Sequence, residues 1–331
     1  MKVLITGATG SIGAYAATTL KKLGYDVVAT GRRASDNGFF ADYGIPYFQV
    51  DVKDKTAFSV LPRDVDAVIH LAGAMPAHMK EYDPYEYTNS IVSGTLNVLE
   101  YMRECNCQRI LFSQSISDVG YMFGSTEPIA DDTVMKFPLN NDHSVYSICK
   151  NAAVNLIEHY HAKYGISRYI LRLPTIYGYH PYPYYYVDGV KKTLGYRFLI
   201  ERAIKGEPLE LWGNPDHLKE MVCIHDLTHL MDCCLKSKHP GGIYNVGCGH
   251  PVTFREQMET IADVFKTTVK SEIICRPDKP SSPQFILDIT KARNELGYNP
   301  KHDIRSLFES YKADLYAEPF AKLWGRRSDY Q

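Results

Sequence analysis

The sequence predicts an α/β fold, a doubly wound parallel sheet with a smaller α/β region interleaved with it. Three observations carry that expectation. Short β-branched runs alternate with longer amphipathic segments through the first half, a glycine-rich turn joins the first run to the first amphipathic segment, and the texture changes near Thr175. In chain order the candidate strands are "KVLITG", "YDVVATG", "PYFQVDV", "DAVIHLAG", "RILFSQS" and "SRYILRLP". Six such strands suit a doubly wound sheet, whose ligands bind beyond the carboxyl ends of the strands. The segment "HSVYSICKNAAVNLIEHYHAKYG" reads as a helix, with Val145, Ile148, Ala152, Ala153, Leu156, Ile157 and Tyr160 as its buried stripe. Beyond Thr175 come Pro, Gly and Tyr clusters, helices at Phe198–Lys205 and Phe254–Phe265, and few alternating strands. "MVCIHDL" and "GGIYNVG" read as returns to the main sheet. The expected division is residues 1–174, with returns near 222–246 and 285–297, against a smaller region over 175–331.

The chain has 331 residues, more than the roughly 250–300 at which a single core usually stops growing. It is 45% hydrophobic and 23% charged, with a formal net charge of −1. That balance lacks the electrostatic footprint of a nucleic-acid binder or a polybasic membrane binder, so small-molecule partners are expected. The opening residues run straight into a strand with no room for a signal peptide, and no run of about 18 apolar residues marks a membrane span. The cysteines, at positions 105, 107, 149, 223, 233, 234, 248 and 275, lack the CxxC spacing of a zinc site, so no metal is expected. They read as reduced thiols of a cytoplasmic protein.

"VLITGATGSIGAYAATTLKKLG" places Gly7, Gly10 and Gly13 between a strand and an amphipathic helix. Such a turn brings a pyrophosphate close to backbone and onto the positive end of the helix, which points to dinucleotide binding. In NAD-binding folds a carboxylate at the end of the second strand usually accepts the ribose hydroxyls. Here "VVATGRR" has Gly31 at that place with Arg32 and Arg33 after it, and Asp26 stands at the wrong end. Two guanidinium groups without a carboxylate favour a 2′-phosphate, so NADP is expected over NAD.

Tyr146 and Lys150 stand one helical turn apart, where side chains at i and i+4 meet. Of the 25 tyrosines, only Tyr146 has a lysine four residues later, so the pair is singled out as a proton-transfer device. An adjacent ammonium and a positive nicotinamide ring both favour the phenolate.

With "TGATGSIG", "DV" at Asp51–Val52, "HLAG" at His70–Gly73, "FSQS", "YSICK", "LRLPTIYG", "IHDL", "YNVGCG" and "RPDKPSSPQFILDITKARNELGYNP" in this order, the chain resembles the extended short-chain dehydrogenase/reductases. The likeness is to their NAD(P)-dependent nucleotide-sugar epimerase and dehydratase branch, and it covers nearly the whole chain. It implies a Rossmann fold with a substrate-binding second region. It implies catalysis by Ser115, Tyr146 and Lys150, with Lys150 holding the nicotinamide ribose and depressing the tyrosine pKa. Cofactor contacts are implied at Gly7, Gly10, Ser11, Ile12, Gly13, Arg32, Arg33, Asp51, Val52, Leu71, Ala72, Gly73, Asn89 and Leu173 as well as at Tyr146 and Lys150. A sugar-nucleotide substrate is implied at Ser115, Thr175, Lys219 and Arg276. Thr175 and Lys219 stand where the family often has Asn and Arg, which departs from the usual uridine-diphosphate pose. A homodimer formed by helices around Asn89–Cys105 and Val145–Tyr164 is also implied.

A tyrosinate that takes a sugar hydroxyl proton while hydride leaves the carbon produces a ketone. Epimerisation, in which hydride returns to the other face, ranks first; a keto-sugar reductase using NADP is the alternative. Dehydration is disfavoured because Ile116 and Ser117 stand where such family members carry an Asp–Glu pair, despite nearby Asp118. A silent cofactor-binding regulator would show a damaged Ser, Tyr or Lys, and all three are intact. The loop "YGYHPYPYYYVDGVKK" offers aromatic faces for a base or sugar, with Lys191, Lys192 or Arg197 near phosphates, or else a surface or dimer contact. His70, His180 and His225 invite metal or acid/base readings, but the resemblance makes His70 and His225 structural or cofactor-proximal, and catalysis is not expected at any of the three.

Overall fold

The structure, a computed structural model, describes residues 1–141, 143–187 and 189–330. Its centre is a parallel sheet of β1 (Lys2–Thr6), β2 (Asp26–Gly31), β3 (Tyr47–Gln49), β4 (Ala67–His70), β5 (Arg109–Ser115), β6 (Ser167–Leu173) and β7 (Gly241–Asn245). Their spatial order is β7-β6-β5-β4-β1-β2-β3, so the direction of winding reverses between β1 and β4. Ligands bind at such a switch point in open α/β sheets. The expected doubly wound sheet is therefore the observed one.

Strand alternation builds two cores, one on each face. Val3, Ile5, Val27, Ala29 and Ile69 pack under α1 (Ser11–Lys22). Leu4, Val28, Val68, Ile110 and Phe112 pack under α2 (Gly94–Glu104) and α3 (Ser144–Tyr164). "GGIYNVG" supplies β7, in register with β6 from Gly241 opposite Arg168 to Asn245 opposite Arg172. "MVCIHDL" departs from its expected place as a main-sheet strand. Val222–Cys223 pairs with Ile176–Tyr177 outside the sheet, and the rest opens a helix.

The buried stripe of α3 also differs from that expected. Ile148 is 47% exposed and Val145, Ala152 and Leu156 are part-buried, whereas Tyr146, Cys149 and Lys150 are buried beside Ala153, Val154, Ile157 and Tyr160. The helix turns a polar strip toward the end of β5, where hydrogen bonds offset the burial of that strip.

After β6 come α4 (Gly195–Lys205), α5 (Ile224–Lys236), α6 (Phe254–Val264), α7 (Thr290–Leu296) and α8 (Ile304–Ala317); α4, α6 and α8 share a core of their own, whereas α5 and α7 join that of the main sheet. Of these, α5 packs against α1. More short strands occur here than the sequence predicts. Leu209–Trp212 runs parallel to Ile273–Arg276, Leu218–Lys219 antiparallel to Val252–Thr253, and Tyr184–Val187 folds onto Val190–Thr193 as a hairpin. Among the described residues no helix is long and apolar enough to cross a membrane.

Candidate active site

The glycine turn lies between β1 and α1. Gly7 has φ +72°, and a Cβ there would stand 2.9 Å from the Ala72 nitrogen. A Cβ on Gly13 would run into the Gly7 carbonyl oxygen. A side chain at either place would close the turn, so both glycines keep backbone within reach of a ligand. Gly10 caps α1 with no side-chain acceptor, and the first turn carries no acidic residue, so the positive end of this helix is uncompensated by its own side chains. Leu71 and Ala72 adjoin Gly7, and Gly73 faces Ile91. Ser11 is exposed and Ile12 part-buried at the start of α1; Leu173, part-buried, ends β6. The cradle fits a dinucleotide pyrophosphate.

Asp51 and Val52 follow β3. The Val52 carbonyl accepts from Asn97 of α2 at 2.8 Å, which ties this loop to the helix behind it. Exposed Asn89 lies in a π-helical stretch at Thr88–Ser93, a form enriched at functional sites.

At the carboxyl end of β5, Ser115 meets α3. The Ser115 hydroxyl accepts from the Ser117 nitrogen at 3.2 Å and the Ser117 hydroxyl at 2.9 Å. Burial pushes the Tyr146 phenol's pKa up to about 12, and Ser115 is the side chain that draws it down. Lys150 Nζ donates to the Ser113 carbonyl at 2.6 Å and lies 4.6 Å from the Phe112 ring centroid. Burial lowers its pKa to about 7. Ser115, Tyr146 and Lys150 are thus brought together, but the ammonium does not depress the phenol within the chain alone. Desolvation penalises both charges, and Lys150 turns its hydrogen bond to Ser113, with Nζ 5.8 Å from the Tyr146 ring centroid.

Sequence reasoning missed the polar brace behind this trio. Gln114 donates to Asn151 at 2.9 Å and accepts from the Ser115 nitrogen at 2.8 Å, and the Ser117 and Ser147 hydroxyls lie 2.9 Å apart. A signal was present: Ser147 and Asn151 repeat the four-residue spacing of Tyr146 and Lys150, opposite "SQS" in an otherwise apolar strand.

The remaining predicted residues are more scattered. Arg32 Nη1 lies 3.0 Å from Glu86, and Arg33 Nη1 donates to the Leu323 carbonyl at 2.6 Å, so both guanidinium groups have partners within the chain. Thr175 is exposed just beyond β6. Lys219 lies over Phe254, 4.6 Å from its centroid, and burial lowers its pKa. Arg276 is held by Glu210 at 3.1 Å and by Asp278 at 3.0 Å. In the tyrosine-rich hairpin Lys191 lies over Tyr184, and its first strand packs against Pro76–His78. Part-buried Arg197 donates to the His180 carbonyl.

The histidines have packing roles. His70 is fully buried between Thr6 at 2.7 Å and Thr95 at 3.1 Å, and burial lowers its pKa to about 3. His180 packs at a tilt against Trp324, and burial likewise lowers its pKa to about 3. His225 meets Tyr15 edge to face. Asp118 forms a two-oxygen pair with Arg172 at 3.0 Å, which commits it to the core.

A glycine cradle at the switch point, beside a serine, tyrosine and lysine on the next strand end and helix, defines a dinucleotide-dependent enzyme of the extended short-chain dehydrogenase/reductase type. Residues 3–247 match the model of the NAD dependent epimerase/dehydratase family, and the chain belongs to that family. The UDP-glucose 4-epimerase of Lactobacillus helveticus is 26% identical over 318 residues, covering 92% of this chain and 93% of that protein. Among solved structures, UDP-glucose 4-epimerase with UDP-glucose from Thermotoga maritima aligns with TM-score 0.76 at 20% identity, covering 96% of this chain and 99% of its own. UDP-glucuronic acid 4-epimerase from Bacillus cereus in complex with NAD aligns with TM-score 0.70 at 21% identity, covering 96% and 98%.

Proposed function

We propose that the protein is a sugar-nucleotide 4-epimerase that works through a transient keto-sugar. The observation that carries this reading is the convergence of Ser115, at the carboxyl end of β5, with the buried Tyr146 phenol and with Lys150 one turn further along α3, its Nζ on the Ser113 carbonyl. When bound, NAD(P) supplies reversible hydride exchange and, in its oxidised form, a positive charge that favours the phenolate. Ser115 holds the reacting sugar hydroxyl, and Tyr146 takes its proton as the ketone forms, then returns it after the sugar has turned over. Lys150, fixed on Ser113, would hold the nicotinamide ribose beside the phenol. The Gln114–Asn151 bond keeps the end of β5 registered against α3. Thr175, Lys219 and Arg276 receive the sugar nucleotide, with Arg276 exchanging a carboxylate partner for the diphosphate or ribose.

The UDP-sugar 4-epimerases among the relatives support uridine diphosphate and carbon 4. A homodimer through α2 and α3 is supported by the exposed apolar side chains Leu96 and Ile148 on those helices. The test is stoichiometric. The protein is incubated with UDP-glucose, UDP-glucuronate and UDP-N-acetylglucosamine in turn, while the sugar is followed by NMR and the cofactor by absorbance. One of these sugars is expected to equilibrate with its 4-epimer without net change in the cofactor. One reduced cofactor consumed per turnover would make the protein a keto-sugar reductase instead.

A further inference from the structure

The second strand lacks its ribose-binding carboxylate, and its end is crowded. A Cβ built on Gly31 would stand 2.8 Å from Thr9 Oγ1 and 3.1 Å from the Tyr47 hydroxyl. A carboxylate reaches the neighbouring residue from elsewhere. Glu86, on the short helical turn Pro84–Tyr87, lies 3.0 Å from Arg32 Nη1 and 2.9 Å from Lys53 Nζ. Lys53 lies 3.7 Å from Asp51 as well. The backbone of Glu86 is fixed at both ends: its nitrogen donates to Asp83, and its carbonyl accepts from Ser90 at 2.6 Å. Ser90 in turn accepts from the Ala74 nitrogen at 2.9 Å, in the loop just past Ala72 and Gly73. Glu86 is therefore connected to both the end of the second strand and the loop after the fourth.

Resting on the dinucleotide-binding reading, we propose that Glu86 supplies from this turn the carboxylate that the second strand lacks, and so selects the unphosphorylated adenosine ribose of NAD. A carboxylate accepts from ribose hydroxyls, while a 2′-phosphate brought beside Arg32 meets Glu86 as a like charge and finds Arg32 and Lys53 already paired with it. Arg33 does not compensate, because its guanidinium is tied to the Leu323 carbonyl. The proposal reverses the cofactor preference that "GRR" implies when read without its partners.

The test is fluorescence titration of the full chain with NADH and NADPH. The wild-type protein is expected to bind NADH about tenfold or more tightly than NADPH, the scale of one hydrogen bond to a charged group. Glu86→Gln is expected to narrow or invert that ratio, by weakening NADH and freeing Arg32 and Lys53 for the 2′-phosphate. Arg32→Ala, which keeps the carboxylate, is expected to retain the NADH preference and serves as the second variant should Glu86→Gln fail to fold. A wild-type preference for NADPH, an unchanged ratio in folded Glu86→Gln, or a reversal in Arg32→Ala overturns the assignment. Binding of neither dinucleotide to the wild-type protein overturns the underlying dinucleotide reading itself.

Discussion

The cofactor cradle and the second region are put together by different means. In the cradle, function rests on backbone: the Gly7 turn, the approach of Gly13 and the free end of α1 follow from residues within a dozen positions of one another. In the second region, short strands bring distant side chains together, as where Arg276 meets Glu210 across two paired strands. A local pattern specifies the first kind of site in the sequence, and only the folded chain specifies the second. Stability should follow the same division, with a committed ion pair at the carboxyl end of β6 and exposed ones in the second region.

The largest expected effect falls at the end of β6. Asp118→Ala leaves fully buried Arg172 without its counter-charge, and urea unfolding should show a loss of about 3–5 kcal/mol. A loss below about 1 kcal/mol would mean that the pair is not committed to the core.

At the junction of the regions, His302 lies 3.0 Å from Asp226 of α5, and this bond first, then its contact with Cys223, raises its pKa to about 10. The folded value lies above the unfolded one, so the contribution is complete below about 6.5 and is lost as pH rises through about 10. His302→Gln should cost about 2 kcal/mol at pH 6 and much less near pH 10, measured by unfolding at both. A gap that does not narrow with pH would contradict the charged pair.

The smallest stability effect belongs to the second region. Arg276 is part-exposed between its two carboxylates, so Arg276→Ala should leave the unfolding midpoint almost unchanged while raising the KM for the sugar nucleotide. An unchanged KM would remove it from the substrate site.

What the sequence disclosed divides along the same line. The six early strands were readable because Val, Ile, Phe and Tyr cluster in them, and "GGIYNVG" because it has the same texture. "MVCIHDL" misled because a two-residue strand beside an apolar helix start looks like a longer strand. Ile148 misled because apolar spacing marks a stripe but does not reveal that a polar strip faces the strands. Tyr146 and Lys150 were visible by their spacing, whereas the anchoring of Lys150 on Ser113 and of Arg32 on Glu86 crosses 37 and 54 residues of chain. Charge counted along the sequence, as at Arg32 and Arg33, says little until the partners are known.

The central claim is that the Tyr146 phenol moves the proton. Turnover and NADH binding should be measured together in Tyr146→Phe, which keeps the ring and removes the hydroxyl. The account predicts a fall in turnover of about 100- to 10,000-fold with NADH affinity within a few-fold of the unaltered protein. Undiminished turnover in this variant would contradict it.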